Sequence, residues 1–340
     1  MASPLRGIRV IEFEGIGPAP YAGMLLADLG ADVIRISRPK AERGPLIADT
    51  GDSVMLRGRT EVTLNLKDMD DLAEAVRLVA SADALIEGLR PGAMEKLSLG
   101  PEAMLAANPA LVYCRITGWG QEGPLAKTAG HDINYIALSG ALALMGPADR
   151  PPFPPANLIG DFGGGGLFAA LGLLAALIEA QRTGQGQVVD SAMLDGAASQ
   201  MTFLYAWAST GMWVPGREAN LLDGAAPFYR CYRCADGRFV AVGAIEPQFF
   251  AAMMEGLGLS DEDWDQADRS AWPALAERIG AVFMRESRDH WAQHFAGTDA
   301  CVTPVLDMWE ASHHPHNATR GTFLEDPTRP APGPRMGRPA

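Results

Sequence analysis

Apolar and polar residues alternate along Ile8-Arg9-Val10-Ile11-Glu12-Phe13, the period of a strand, and from Tyr21 to Leu29 the apolar positions recur at helical spacing until Gly30. Gly15, Gly17, Pro18 and Pro20 mark a turn between them, and Asp32 to Ile36 reads as a second strand. Strand, glycine turn, helix and strand make a βαβ unit of the nucleotide-binding kind, its glycine turn facing the ligand crevice. Prolines follow Gly15-x-Gly17 where a dinucleotide fingerprint has its third glycine, so a generic α/β turn explains the segment equally well.

The alternation continues downstream. Val62 to Lys67 is strand-like, Asp70 to Ser81 is an amphipathic helix with Leu72, Ala75, Val76 and Val79 on one face, and Ala84 to Ile86 is a short strand. Leu111 to Ile116 is another strand, followed by an apolar helix from Leu167 to Gln181, a strand from Gln187 to Ser191 and a helix from Met193 to Trp207. Periodicity is lost over 208–226. It resumes as a hairpin, Phe228 to Cys234 and Arg238 to Val242, turned by Asp236-Gly237. Helices follow at Pro247 to Leu257, Trp272 to Met284 and Arg288 to Phe295, and Val302 to Glu310 leads back. The pattern predicts an α/β protein: a large parallel-sheet domain over 1–207, a linker over 208–226, a small α+β domain over 227–305, and a return segment over 306–340 with a proline-rich end.

Composition adds limits. The 340 residues are 48% hydrophobic and 20% charged, as in a soluble globular protein. A net charge of −13 argues against nucleic acid or an anionic membrane as a general partner, so an anionic ligand needs local basic residues. Arg35, Arg38, Arg57, Arg59 and Arg90 are candidates, Arg90 because it ends a strand on the crevice side. Four cysteines do not make a disulfide scaffold and suit a reducing compartment. Cys231 and Cys234 form one C-x-x-C without further ligands at zinc spacing, so no metal is expected. His313, His314 and His316 read as surface residues for the same reason. No signal-peptide core precedes Ile8, and the longest apolar stretch, Phe162 to Ile178, holds five glycines and falls short of the roughly 20 residues that span a bilayer. A cytoplasmic protein without membrane insertion is expected.

The candidate chemistry lies between Gly130 and Gly166. His131, the only histidine before residue 290, stands in Gly130-His131-Asp132-Ile133-Asn134-Tyr135, outside any apolar face. Asp161 precedes Gly163 to Gly166. Each glycine costs a helix about 1 kcal/mol relative to alanine, so the run suggests close approach of a bound group to backbone N–H groups at a helix start. An aspartate before a helix is also a common N-cap. Glu246, between a strand and a helix, is a further candidate whose position ordinary helix-start chemistry also explains. Met145, Met193, Met201, Phe203 and Trp207 can form an apolar surface, although core packing explains such spacing more simply.

These segments together resemble the class III CoA transferases (CaiB/BaiF type) and, within them, the α-methylacyl-CoA racemases. The resemblance runs from Gly7-Ile8-Arg9-Val10-Ile11-Glu12 through Leu64-Asn65-Leu66-Lys67, the His131 and Asp161 motifs and Asp223-Gly224-Ala225-Ala226-Pro227-Phe228-Tyr229 to Gly297-Thr298-Asp299-Ala300-Cys301-Val302-Thr303-Pro304-Val305. It implies a Rossmann-like large domain, a small domain and an interlocked homodimer with the active site at the interface. Chains of the family commonly carry an aromatic where Gly88-Leu89 stands, and continue beyond the position of Ala340. By motif, His131 and Asp161 are implied as the catalytic pair, with Glu246 reaching His131 across the interface. Arg38, Leu64, Asn65, Leu66, Lys67, Arg90, Gly130, Asp132, Ile133, Asn134 and Tyr135 are implied to line the site of an acyl-CoA thioester. The implied reaction is inversion beside the thioester by proton removal from one face and delivery to the other, with no cofactor, and backbone N–H groups near Asp161 are expected to hold the enolate oxygen. CoA transfer through a nucleophilic Asp161 and a silent CoA-binding protein are the alternatives. His131 and Glu246 favour the racemase branch.

Overall fold

The computed structural model describes residues 3–39, 52–325 and 328–337. The chain groups into two units: Met1–Leu142, Pro154–Thr202 and Phe323–Ala340 form the first, and Ala143–Phe153 with Phe203–Thr322 the second.

The first unit is built on six parallel strands, β1 (Arg9–Phe13), β2 (Asp32–Ser37), β3 (Arg59–Thr63), β4 (Ala84–Glu87), β5 (Val112–Thr117) and β6 (Gln187–Ala192), in the order β3-β2-β1-β4-β5-β6. Alternation sends their side chains to two cores. Val10, Ala84, Ile86, Val112 and Cys114 pack on one face with Ala19, Ala22 and Leu26 of helix α1 (Pro18–Asp28) and with Leu173 and Leu177 further along the chain. Ile11, Phe13, Leu85 and Tyr113 pack on the other with Ala75 and Val79 of α2 (Met69–Ala80). The strand-like reading of Val62 to Lys67 is corrected: β3 starts and ends earlier, and Leu64 turns into the core at 6% exposure.

Charges replace apolar residues near the strand ends. Glu12, Arg35 and Glu61 stand in register across β1, β2 and β3, as do Glu87, Arg115 and Asp190 across β4, β5 and β6. Arg35 Nη1 lies 3.3 Å from Glu61, and Arg115 Nε 2.9 Å from Glu87.

One further correction concerns the glycine run. The helix begins at Leu158, and Leu158–Leu167 is wound in the wide π form, continuing as α-helix over Phe168–Thr183. The glycines therefore lie inside a helix. A Cβ on Gly164 would sit 2.6 Å from the Ala197 amide nitrogen, and one on Gly165 2.7 Å from Pro18 Cβ. Their absence lets this helix pack against α1 and against Met193–Gln200. The continuous Leu158–Thr183 helix has 26 residues and is long and apolar enough to cross a membrane, unlike the shorter stretch expected. Ala169, Leu173, Ala176, Leu177 and Ala180 nevertheless belong to the sheet's core.

In the second unit, the Asp236-Gly237 hairpin pairs β7 (Tyr229–Arg233) with β8 (Phe239–Gly243), and β9 (Val302–Pro304) adds antiparallel to β8. Val302 to Glu310 was expected to lead back, and its first residues, within the expected 227–305 domain, complete this sheet. Phe228, Tyr232, Phe250, Trp272, Phe283 and Trp291 form the core with helices Pro247–Gly256, Trp272–Phe283 and Arg288–His294. In the proline-rich end, Arg329–Pro330 pairs with Phe323–Leu324.

Candidate active site

From β1 the chain moves outward to β2 and β3, then returns to the other side of β1 as β4. The strand order therefore reverses between β1 and β4, and a crevice opens beyond their carboxyl ends. Glu14 to Pro18 after β1, Gly88 to Pro91 after β4 and Thr117 to Trp119 after β5 line a cleft of about 600 Å³. Arg35, Gly130, His131, Tyr135, Asn157, Asp161, Phe162 and Met193 line it too.

His131 is exposed and caps the helix α3 (Asp132–Ser139). Its backbone is clamped on both sides: Asn134 Oδ1 accepts the His131 N–H at 3.0 Å, and the Tyr135 hydroxyl donates to the Gly130 carbonyl at 2.5 Å. The Tyr135 ring meets Trp119 edge-on with centroids 4.8 Å apart, and a Cβ on Gly118 would overlap it. Burial, then the charge of Asp161, pushes the Tyr135 phenol up to about 12.

Asp161 lies in the wide helical turns and caps no helix, contrary to its N-cap reading. Such π turns are uncommon and recur at functional sites. Asn157 Nδ2 donates to Asp161 Oδ2 at 3.0 Å, and the Asp161 N–H donates to Asp132 Oδ2 at 2.7 Å. Gly17, at φ 65°, leaves room for the carboxylate: a Cβ there would lie 3.0 Å from Asp161 Oδ2. Burial raises the pKa of Asp161; the Asn157 hydrogen bond opposes this, the charge of Asp132 adds to it, and His131 opposes it. The Asp161 carboxyl thus feels the charge of His131.

The sequence matches CoA-transferase family III over residues 5–339. The chain belongs to this family. This family III chain is 47% identical over 338 residues to an alpha-methylacyl-CoA racemase of Mus musculus, covering 98% of the chain and 87% of the mouse protein. It is 45% identical over 336 residues to the alpha-methylacyl-CoA racemase of Homo sapiens, covering 98% and 86%. The crystal structure of a CaiB/BaiF family protein from Brucella suis matches with a TM-score of 0.80 at 27% identity, covering 95% of this chain and 89% of that one.

In this family III chain, Arg90, Gly130, His131, Tyr135 and Asp161 meet in the cleft. Other candidates stand elsewhere. Arg38 is exposed and binds Glu14 Oε2 through its N–H at 2.7 Å and Nε at 3.2 Å. Leu64 and Leu66 pack in the core, the Asn65 N–H donates to Asp71, and the Lys67 N–H to Asn65 Oδ1. Asp132 is buried against Asp161, whereas Ile133 and Asn134 are exposed. Glu246 belongs to the second unit, immediately before helix Pro247–Gly256.

The arginine reading needs correction at two positions. Arg57 forks onto Asp28 and Arg59 donates to Glu12 at 2.6 Å, so these two guanidinium groups neutralise internal carboxylates. Arg35 lines the cleft, but at 5% exposure and among Glu12, Glu14 and Glu61. Of the amides near Asp161 expected as oxygen donors, that of Asp161 itself already serves Asp132. Sequence reasoning overlooked Glu14, Trp119 and Asn157. Asn157 had a usable signal, since four residues before Asp161 is the spacing of neighbours on a helix.

Proposed function

We propose that this family III protein is an α-methylacyl-CoA racemase, interconverting (2R)- and (2S)-2-methylacyl-CoA thioesters. The observation that carries the reading is the pair His131 and Asp161 in one cleft, one an exposed imidazole and the other a half-buried carboxyl whose pKa is raised. Two racemase relatives at 45–47% identity support it.

A hydrogen beside a thioester carbonyl can leave as a proton because the electron pair passes into an enolate. His131 removes it from one face and the Asp161 carboxyl delivers a proton to the other; the opposite isomer uses the pair in reverse. Desolvation suits Asp161 to this, since it keeps a proton at higher pH than an ordinary aspartate. The amides opening α3 beside His131 are the donors we assign to the enolate oxygen. The reaction needs no cofactor, CoA being part of the substrate. Arg90, Gly130, His131 and Tyr135 contact the thioester in the cleft, and Arg38, Asn65 and Lys67, outside it, are the groups we assign to the rest of the CoA.

The active form is a homodimer in which Glu246 from a second copy holds His131. An exposed apolar stripe on the Leu158–Thr183 helix, formed by Leu167, Phe168, Leu171 and Ile178, supports self-association. Four free cysteines suit a reducing compartment such as the cytoplasm.

The test is incubation of one stereoisomer of a 2-methylacyl-CoA in D2O without acceptor acid, following α-deuteration and isomer ratio together. Both proceed in the wild type, and His131→Ala and Asp161→Asn each lower them by about 10²–10⁴-fold. Acceptor-dependent CoA transfer without α-exchange replaces this reading with Asp161 as nucleophile of a CoA transferase. CoA binding without either reaction points to the silent binder.

A further inference from the structure

Asp132 follows the exposed His131 by one residue, yet its side chain turns inward and is 6% exposed. Oδ2 accepts the Asp161 N–H at 2.7 Å. Space for this carboxylate exists because residue 160 is glycine: a Cβ there would lie 2.6 Å from Oδ2 and 2.9 Å from Cγ. The other oxygen, Oδ1, is buried and has no hydrogen-bond partner among the described residues.

Stability alone does not account for this arrangement. A carboxylate on the first residue of a helix gains from the helix dipole while remaining in water. Burial with one oxygen unmatched forfeits that hydration. The neighbours identify what is obtained in return.

We infer that Asp132 is a positioning residue that locks the backbone of Asp161 to that of His131. This rests on the racemase reading for the use made of the Asp161 proton. His131 and Asp132 share a peptide, so a single dipeptide presents one proton-transfer group to the cleft and grips the backbone of the other. The grip acts on charge as well as geometry. The groups facing Asp161 are Asn157 on its own helix, His131, Asp132 and Tyr135 at the start of α3, and Gly17 before α1; Arg90 acts on Tyr135. Among them Asp132 supplies the repelling negative charge, which favours the protonated form of Asp161.

The experiment has two arms. In the first, carboxyl carbons of 13C-aspartate-labelled protein are titrated by NMR in the wild type and in Asp132→Asn, with Asp161→Asn for assignment. Asparagine keeps an acceptor for the Asp161 N–H and removes the charge, so the Asp161 midpoint falls; an unchanged midpoint overturns the inference. In the second, Gly160→Ala drives the Asp132 carboxylate from its seat. The expected result is a fall in kcat of about tenfold or more with KM within about twofold, and no further fall when Gly160→Ala is added to Asp132→Ala. A raised KM with unchanged kcat in Asp132→Asn makes Asp132 a substrate contact and overturns the inference. A wild type that exchanges no α-proton sinks the racemase reading alone, because the NMR midpoints still decide the role of Asp132.

Discussion

Two glycine-rich segments converge on Asp161, and they use the missing side chain differently. Gly163 to Gly166 lie inside a helix and are pressed by protein: Gly164 by the backbone of Met193 and Ala197, Gly165 by Pro18, Gly166 by Tyr21. Gly15 and Gly17 form the turn after β1 and line the cleft, where Gly17 borders the Asp161 carboxylate. The first run fixes where the helix sits and the second leaves room for what the helix carries. Composition alone does not separate these roles, because only the neighbours of the absent Cβ distinguish them.

The comparison breaks most severely at the helix. Gly164→Ala places its Cβ 2.6 Å from one backbone atom and 2.9 Å from another, neither able to move by a rotamer change. Gly196→Ala, on the partner helix, collides with the Gly164 carbonyl. Either substitution should cost about 3 kcal/mol or more, or prevent folding, as read by urea denaturation. A loss below about 1 kcal/mol would show that the helices can separate and that close packing is not why the glycines are there.

Gly17→Ala sharpens the other half. A φ of 65° with ψ −113° lies outside the left-handed helical region and costs an alanine on the order of 1–3 kcal/mol, and its Cβ would press on Asp161 Oδ2 at 3.0 Å. Stability should fall by about that amount, while α-deuteration falls by about tenfold or more because the displaced group is a reacting one. Equal, modest losses in stability and activity would reduce Gly17 to an ordinary turn residue.

The legible parts of the chain were those whose periodicity is local. Ile8 to Phe13 and Ala84 to Ile86 are mostly apolar because a strand of a sheet covered on two faces feeds both cores, and Asp236-Gly237 turns its hairpin by backbone preference alone. The start of the helix at Leu158 was hidden, since glycine propensity argues against a helix that tertiary packing imposes. Ala143–Phe153 groups with the second unit through contacts distant in sequence. Arg57 and Arg59 looked available because their carboxylate partners Asp28 and Glu12 lie on other elements. His131 and Asp161 stood out as chemistry that no local pattern required, but the Asp132 and Asn157 contacts between them did not.

Asp161 provides a subtler test, through pH. Its folded pKa is raised, chiefly by burial, so its proton is held more tightly in the folded state. The associated stability is fully present below the ordinary aspartate range, about pH 4, and is lost as pH rises through the folded value. Asp161→Asn cannot ionise and escapes that loss. Its Tm should exceed that of the wild type at pH 7, with the difference vanishing toward pH 3 while activity stays low throughout. A difference independent of pH would mean that packing, not ionisation, separates the two proteins.

The smallest effect belongs to Gly15→Ala. Gly15 shares the turn and the cleft with Gly17, yet its φ lies outside the left-handed region, and the nearest atom to an added Cβ is Ala19 Cβ at an ordinary 3.6 Å. Alanine also reduces the freedom of the unfolded chain, which offsets any slight crowding. Stability should stay within about 0.5 kcal/mol of wild type and α-deuteration within about twofold. Because both positions face the same cleft, a large activity loss at Gly15 with stability unchanged would shift the ligand's path toward residue 15. It would also assign the glycine there to substrate approach, while Gly17 kept its place beside the reacting carboxyl.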